Sequence, residues 1–369
     1  MSGDIIHVDA DYLEQFMRDV FIGVGVPEDD ACVCADVLIT SDKRGIDSHG
    51  INRCKPIYYD RIKAGTLNPV TNFEIVREKK ATAVVDGHNG MGHAIARKCM
   101  QMAIDKAREF GIGMVTARNS THYGFAGYYP LMAIEEGMIG MTGTNARPSI
   151  APTFGVENML GTNPLTFGMP TDEAFPFVLD CATSVSQRGK VEFYDREGKE
   201  IPDGWVIDRE GKARTDTHQI LGDLVKGTCS FVPLGGAGEE TAGYKGYGYA
   251  TVVEILSSAL QAGNFMKALA GVKDGKKVPI ELGHFFIAMD VEASIDLDSF
   301  KKTTGDILRQ LRASDKAPGQ ERIYTAGEKE YIAWQERKKG GIPLPEGVKK
   351  DMIAMRDELG LTQYKFPWE

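Results

Sequence analysis

The sequence predicts a mixed α/β fold, because helical patterns occupy both ends of the chain and strand-like runs fill its middle. We expect a discontinuous helical domain from residues 1–75 and 298–369, and a mixed-sheet domain from residues 76–297. A polar, turn-rich stretch at 195–217 should leave the sheet domain as an excursion of loops and hairpins.

The N-terminal segment predicts three helices. Asp9 can cap the first, and the glycines at 23 and 25 mark its end. A second helix should run from about 29 to 39, and a third from Cys54 to Ala64. The charged helical segment from Asp298 onward should pack back on these helices. The apolar stripe of the first helix consists of Leu13, Phe16, Met17, Val20 and Phe21.

The middle of the chain predicts a sheet with helices between some of its strands. Runs of β-branched and small apolar residues are short and bounded by turn signals, which is typical of strands. The expected strands are 81–85, 112–116, 138–142, 165–167, 177–179 and 284–289, and the expected helices are 94–110, 125–136 and 249–260.

Composition and charge exclude several classes of function. The net charge of −9 provides no basic excess for binding nucleic acid. The first eleven residues carry acids and no long apolar run, so they do not resemble a signal peptide, and no segment is apolar enough to span a bilayer. The six cysteines are scattered without a C-x-x-C, which favours free thiols. We therefore expect a cytoplasmic protein that binds neither nucleic acid nor membrane.

The segment Ser41–Arg53 has an unusual density of different polar groups, with glycines at 45 and 50. His49 can move a proton near neutral pH, and the planar guanidinium of Arg53 can hold a carboxylate with two parallel hydrogen bonds. Tyr58 follows five positions after Arg53 and can face the same cavity or pack in the core. These residue types predict a site for a small acid.

A second histidine has a similar setting. His122 follows a predicted strand within Asn119–Gly124, and strand ends commonly place functional groups in α/β proteins. His49 and His122 are therefore both candidates for the acid/base of a hydroxyl group, and each can also be a structural, hydrogen-bonded histidine. His88 and His93 do not have the spacing of a helical metal pair. A hydrolytic metal site built from His49, His88, His93 and His122 is conceivable, but no H-E-x-x-H or paired-ligand motif supports it, so we expect no metal site.

Glycine-rich motifs give no standard nucleotide fingerprint. Neither G-x-G-x-x-G nor G-x-x-x-x-G-K-[ST] occurs. Residues 235–248 can instead form an anion-binding nest before a helix, in which Lys245 would meet a phosphate, a carboxylate or a carbonyl. The same stretch can equally be a flexible crossover loop, and a Schiff base of Lys245 with pyridoxal phosphate has no independent support. Small polar groups at 143–145, 161–164 and 179–184 suit a bound polar cofactor, or simple turns.

Seven short motifs occur in order over nearly the whole chain: Asp47–Gly50 with Arg53, Asn119–Gly124, Gly161–Leu165, Leu179–Ser184, Ile201–Trp205, Gly243–Gly248 and Ala317–Arg322. Together they resemble the type-2 malate/L-lactate dehydrogenase family, which includes ureidoglycolate, sulfolactate and diketogulonate oxidoreductases. The sequence is most similar to the malate dehydrogenases of this group.

The resemblance implies a nicotinamide-binding fold that is not the Rossmann fold, and a homodimer with its active site near the subunit contact. It implies that the acid/base is His49 or His122, since different members of the family have it at either position, and that Arg53 holds the carboxylate. We favour His122 as the acceptor of the hydroxyl proton, with His49 binding or polarising the same oxygen. Asp47, Ser48 and Lys245 join the catalytic candidates, and Tyr58 and Asn119 join the substrate-binding ones. The implied cofactor contacts are Thr144, Asn145, Asp180, Cys181, Ala182, Lys245, Gly246, Pro318, Gly319 and Gln320.

The sequence thus predicts a dehydrogenase that interconverts a 2-hydroxy acid and a 2-keto acid, with L-malate and oxaloacetate as the first choice. NAD is favoured over NADP as the cofactor. Lactate, ureidoglycolate and sulfolactate are alternative substrates within the family. A metal-dependent hydrolase or a non-catalytic ligand-binding protein are the alternatives from other classes.

Overall fold

The structure is a computed structural model that describes residues 6–369; the first five residues of the predicted helical domain lie outside the described residues. Eleven α-helices occur in this described part, together with short 3₁₀ segments and one π-helical turn. The helices are α1 (Ala10–Gly23), α2 (Glu28–Lys43), α3 (Asp60–Lys63), α4 (Gly92–Phe110), α5 (Tyr128–Glu135), α6 (Arg188–Arg196), α7 (Thr217–Lys226), α8 (Gly243–Leu256), α9 (Leu297–Ala313), α10 (Glu328–Gly340) and α11 (Glu346–Leu359).

Fourteen strands are described, and seven of them form the central mixed sheet in the order β2-β3-β4-β13-β5-β6-β7. Only β3 and β4 pair in parallel, across the crossover helix α4; the other neighbours are antiparallel. The strands are β1 (Ile6–Val8), β2 (Glu74–Lys79), β3 (Thr82–Asp86), β4 (Ile112–Ser120), β5 (Met138–Thr144), β6 (Leu165–Met169), β7 (Phe177–Cys181), β8 (Val206–Asp208), β9 (Ala213–Arg214), β10 (Cys229–Phe231), β11 (Val272–Lys273), β12 (Lys276–Lys277), β13 (Leu282–Asp290) and β14 (Ile342–Leu344). The mixed α/β fold class predicted from the sequence is confirmed.

The two ends of the chain share one apolar core. The carboxylate of Asp9 accepts a hydrogen bond from the backbone N–H of Tyr12 at 3.0 Å and so caps α1, as its sequence predicts. Phe16 on α1 meets Tyr364 and Phe366 edge-on, with ring centroids 5.1 and 5.4 Å apart. Strand β1 pairs with β14, which ties the N-terminus to the segment before α11.

A second core lies between α4 and the central sheet. Small and medium apolar side chains of α4 face strands β3, β4 and β13. A side chain at Gly113 would meet the backbone of α4, with its Cβ 2.1 Å from the carbonyl oxygen of Ala103, so this glycine lets the helix approach β4 closely. In the unit β3-α4-β4, strand β4 ends at Ser120, two residues before His122.

Between α2 and α3 the backbone changes helical type twice. Residues Ile51–Arg53 form a 3₁₀ turn, and Cys54–Tyr59 form a π-helical turn that continues into α3. A π-helix places residues five apart on one face, and such turns are frequent at functional sites. Arg53 and Tyr58 have this spacing.

Candidate active site

A cavity of about 630 Å³ opens beside the end of β4 and contains both histidines singled out from the sequence. Its walls come from the loop that bears His49, the segment after β4, the ends of β5 and β7, and the segment before α6. Cavities that bind ligands commonly measure roughly 300–1,000 Å³. The candidate residues that line it are Ser48, His49, His122, Thr144, Asn145, Asp180, Cys181 and Ala182.

His122 is held through one of its ring nitrogens. Its Nδ1 shares a hydrogen bond of 2.5 Å with the hydroxyl of Tyr58 and lies 3.3 Å from the backbone N–H of Gly124. Within residues 6–369 its Nε2 has no hydrogen-bond partner, so this nitrogen is free for a ligand in the cavity. The histidine therefore has the arrangement of a general base that is oriented by a third group.

His49 lies against His122. The two rings are stacked with centroids 5.7 Å apart and an angle of 15° between their planes. The Nδ1 of His49 is 2.7 Å from the hydroxyl of Ser48, which leaves its Nε2 for a ligand as well. The motif thus places Ser48 next to His49, where the serine hydroxyl can influence which ring nitrogen carries the hydrogen.

Both imidazoles are neutral at pH 7. Burial, with a smaller contribution from Arg53, lowers the pKa of His49 to about 4. Burial, followed by the charges of His49, His93, Arg53 and Arg61, lowers the pKa of His122 well below its usual value of 6.5. A neutral imidazole can accept a proton, and an anionic substrate beside it would favour the protonated form.

Arg53 lies at the same end of the site with its guanidinium half-buried. Its Nε donates to the carbonyl oxygen of Ser48 at 2.5 Å, which fixes the side chain against the loop that bears His49. Burial lowers its pKa, and within residues 6–369 it forms no ion pair with a carboxylate. Its terminal nitrogens are therefore available to an anionic ligand.

His93, which sequence reasoning set aside, borders the same cluster. It is fully buried on α4, and neither ring nitrogen has a partner within the described residues. Its ring lies 4.5 Å from that of Tyr58, centroid to centroid, and burial lowers its pKa to about 3. No motif marks this residue, because its position depends on α4 packing against the π-helical turn.

The candidates on the sheet strands line the cavity with their hydrogen-bonding groups already engaged. Asp180, on the edge strand β7, accepts from the backbone N–H of Gly127 at 2.6 Å and from the hydroxyl of Thr166 at 3.2 Å. Burial raises the pKa of Asp180. The side chain of Asn145 bonds the backbone at 264 and 283, and Thr144 bonds His284.

Other candidates lie outside the cavity. Asn119 gives its amide to both oxygens of Asp86, and Asp47 is paired with Arg337. Gly246 packs α8 against the backbone of Leu234. Four further candidates are exposed and do not line it: Lys245, Pro318, Gly319 and Gln320. Tyr58 and Arg53 do not line the cavity themselves, but each bonds a residue that does: Tyr58 bonds His122, and Arg53 bonds the backbone of Ser48.

Residues that the sequence did not single out complete the cavity. Ser186, Gln187 and Lys190 form one wall near the start of α6. Within residues 6–369 no group of three or more His, Cys, Asp or Glu side chains is arranged to hold a metal ion. None of the described helices is long and apolar enough to cross a membrane.

A nicotinamide cofactor fits this cavity by size and by chemistry. The cavity volume suits a large polar ligand, and its lining combines apolar side chains with fixed polar groups. Ser186 also contributes a buried hydroxyl without a partner within the described residues, as expected where a polar ligand completes the site.

Comparisons with known proteins agree with this chemistry. The family model described as malate/L-lactate dehydrogenase matches residues 8–353. The chain is 42% identical to a malate dehydrogenase of Pyrococcus horikoshii over 96% of both chains. It is 36% identical to an L-sulfolactate dehydrogenase of Methanocaldococcus jannaschii over 95% of this chain and 96% of that one.

A solved structure has the same fold along almost the whole chain. The crystal structure of malate dehydrogenase from Entamoeba histolytica superposes with a TM-score of 0.94 at 46% sequence identity, and covers 99% of this chain and 100% of that chain. The resemblance noted in the sequence is therefore confirmed. The chain belongs to the malate/L-lactate dehydrogenase family and is a 2-hydroxy acid dehydrogenase that uses a nicotinamide cofactor.

Proposed function

We propose that the enzyme interconverts L-malate and oxaloacetate, with NAD as its preferred cofactor. The main support is the grouping of two neutral histidines at one end of the cavity with the neighbouring Arg53, which bonds Ser48 of the lining and has no carboxylate partner in the described part of the chain. The names of the malate dehydrogenase relatives support the choice of substrate. L-Sulfolactate is the second candidate, because a relative with that activity is also similar.

In this proposal Arg53 holds the C1 carboxylate through its terminal nitrogens, while its Nε remains bonded to Ser48. Nε2 of His122 accepts the proton of the C2 hydroxyl during oxidation and returns it during reduction. For Nε2 to be the acceptor, the neutral ring carries its hydrogen on Nδ1 and donates it to the hydroxyl of Tyr58, and the imidazolium keeps this hydrogen bond. Holding the acid between these groups supplies much of the rate through orientation.

His49 assists at the same oxygen. Its Nε2 is free within the described residues, and its ring is parallel to that of His122. In this proposal His49 binds or polarises the C2 oxygen, while Ser48 and Asp47 keep the loop in place. Asp47 contributes through its ion pair with Arg337 rather than through contact with substrate.

The strand ends would hold the cofactor. Thr144, Asn145 and the Asp180–Ala182 segment line the cavity and are the residues we assign to it. The nicotinamide, when bound, supplies or accepts the hydride at C2 of the acid. We assign Lys245, Gly246 and the Pro318–Gln320 loop a contact with the cofactor or substrate only in the liganded protein, because they do not line the cavity here.

We further propose that the enzyme is a homodimer. Helix α8 is apolar on most of its surface, and the helix and the turn after it therefore expose several large apolar side chains. A second copy of the chain would cover such a face. These exposed residues are Tyr244, Tyr249, Val252, Ile255, Leu260 and Phe265. A cytoplasmic location, also proposed, agrees with the six free cysteines.

The test is the loss of nicotinamide absorbance when purified enzyme is mixed with NADH or NADPH and a 2-keto acid. Oxaloacetate, pyruvate, glyoxylate and sulfopyruvate are supplied in turn. We expect the highest kcat/KM with oxaloacetate and NADH. A clear preference for another acid would contradict the substrate assignment, and a preference for NADPH would contradict that of the cofactor. An activity abolished by chelators would favour a metal-dependent enzyme instead.

A further inference from the structure

The segment that leads into α6 forms a wall of the cavity and has unused hydrogen-bond donors. Ser186, Gln187 and Lys190 line the cavity, and α6 begins at Arg188 without a side-chain cap. Within residues 6–369 the backbone N–H groups of residues 187–189 have no acceptor. Helix N-termini with free N–H groups favour anions, because the peptide dipoles point at the ligand.

Ser186 gives an independent sign of a missing ligand. The side chain is only 9% exposed, and its Oγ has no hydrogen-bond partner in the described part of the chain. Buried hydroxyl groups in folded proteins almost always have a partner. Its neighbour Ser184 donates to the backbone carbonyl of Ser186, so of these two hydroxyls only that of Ser186 lacks a partner in the described part of the chain.

The charges around this turn favour an anion. Lys190 lies over the rings of Phe193 and Tyr194, 5.3 and 5.7 Å from their centroids, and has no carboxylate partner in residues 6–369. Glu192, the acid on the first turns of the helix, is paired with Arg188 at 2.8 Å. Lys190 is therefore the cation that the turn presents to the cavity, whose lining also includes the acids Asp180 and Glu330.

This turn also adjoins Arg53. A Cβ atom built on Gly189 would lie 3.9 Å from a terminal nitrogen of the Arg53 guanidinium. Two anion-binding groups are thus side by side, and a substrate with two acid groups could use both. In a four-carbon diacid the acid groups are separated by only two carbons, which suits neighbouring subsites.

We propose that the N-terminal turn of α6, with Ser186 and Lys190, is a subsite for the second acid group of the substrate, a carboxylate or a sulfonate. The inference rests on the proposed function, since it takes Arg53 as the anchor of the first carboxylate. It makes the turn a specificity determinant: a diacid gains contacts here that a monoacid such as pyruvate cannot make. A phosphate of the dinucleotide is the other source of an anion in this cavity.

The test uses three variants of the full-length enzyme. Ser186→Ala removes the buried hydroxyl, and Lys190→Gln removes the charge at the start of α6. Arg196→Gln removes the same charge from the exposed far end of α6 and is the matched control. Lys190 is exposed, so its variant remains informative if Ser186→Ala does not fold.

The ratio of kcat/KM for oxaloacetate to that for pyruvate is the first measurement. We expect each subsite variant to lower this ratio about tenfold, the effect of losing one charge-assisted hydrogen bond, and the control to leave the ratio at the wild-type value. An unchanged ratio in both subsite variants would overturn the proposal. If kcat/KM falls equally for oxaloacetate and pyruvate and the KM for NADH rises, the turn binds the cofactor, and the proposal is overturned as well.

Calorimetric titration with L-malate and L-lactate gives a readout independent of turnover. We expect the wild type to bind malate more tightly than lactate, and Lys190→Gln to lose that difference. No preference for malate in the wild type would overturn the subsite. If none of the keto acids supports NADH oxidation by the wild-type enzyme, the proposed function is contradicted. If the wild type and the variants turn over with the same acid preference, the subsite alone is contradicted.

Discussion

At the scale of single residues, the structure differs most clearly from the prediction at Tyr58, which contacts His122. The sequence suggests Tyr58 as a substrate contact, but its hydroxyl meets Nδ1 of His122 at 2.5 Å and its ring is fully buried. We infer that Tyr58 is a positioning residue. Its hydroxyl is the group available to accept the Nδ1–H of the imidazolium that forms when His122 takes a proton.

Tyr58→Phe should keep the packing and remove this acceptor. A buried imidazolium N–H left unpaired costs about 1–3 kcal/mol, so we expect kcat to fall about tenfold or more. The apparent pKa of the base in the pH profile of kcat/KM should also fall, because the protonated histidine loses a partner. A raised KM with an unchanged pH profile would instead indicate a direct substrate contact.

The catalytic histidines could be found from the sequence because each lies in a short polar, glycine-bearing motif. Their stacking could not, since His49 follows α2 and His122 follows β4. His93 and Ser186 were not identified for a related reason. What distinguishes them is an unpaired buried atom, and hydrogen-bond partners are visible only in the folded protein.

At the scale of elements, the loop between α2 and the 3₁₀ turn depends on a buried carboxyl group. Asp42, only 2% exposed, accepts a hydrogen bond from the backbone N–H of Ile51 at 2.8 Å. Gly50 packs directly against this carboxyl, and a Cβ there would lie 1.8 Å from its oxygen. Arg337 of α10 bonds the carbonyl of Asp42 and the carboxylate of Asp47, so the loop that bears His49 is held from both sides.

Asp42 should make stability depend on pH. Burial, as the main cause, raises its pKa to about 8 from the usual 3.8, so the folded protein holds a proton that the unfolded chain releases. The stabilisation is complete below pH 3.8 and is lost as the pH rises through 8. Between these values this group lowers the free energy of unfolding by up to about 1.4 kcal/mol per pH unit.

Asp42→Asn mimics the protonated carboxyl and removes this dependence. We expect urea unfolding at pH 6, 7 and 8 to show a smaller decline in stability for the variant than for the wild type. The other titratable groups are the same in both proteins and cancel in the comparison. Parallel declines across this range would show that Asp42 does not titrate as its burial implies.

The elements with a buried apolar face could be predicted from the sequence, and the exposed or polar ones could not. Helix α1 has the predicted bounds, and the strands at 112–116 and 138–142 are present, although longer. Strand β2 was missed because all six of its residues are exposed, which leaves no alternation of apolar and polar residues. The sequence does not predict helix α6, because only Val191 of its residues is buried and the remaining residues show no apolar stripe; the predicted polar excursion begins only at residue 195.

At the scale of the whole molecule, strand β13 brings the two walls of the site together. It comes late in the chain and inserts between β4 and β5. His284 on β13 is buried and bonds Thr144 at 2.7 Å and Ser120 at 2.8 Å, at the ends of the two flanking strands. The sequence predicts the strand but not its neighbours, because strand order depends on contacts more than 100 residues apart.

The division into two domains stays a prediction. Helix α11 and α1 share a core, and Tyr59 bonds Glu358, as expected if the chain ends fold together. Helix α9, in contrast, is tied by Arg309 to Asp172 in the turn between β6 and β7. The C-terminal segment therefore contacts both the N-terminal helices and the central sheet.

The central claim is that Nε2 of His122 exchanges the substrate proton beside Arg53. The most direct test compares kcat for His122→Asn and His49→Asn with oxaloacetate and NADH, after circular dichroism has shown that both variants fold. We predict that His122→Asn lowers kcat by about two or more orders of magnitude, and that His49→Asn has a smaller effect with a raised KM. A near-normal kcat for His122→Asn, with a large loss for His49→Asn, would contradict the account and assign the proton to His49.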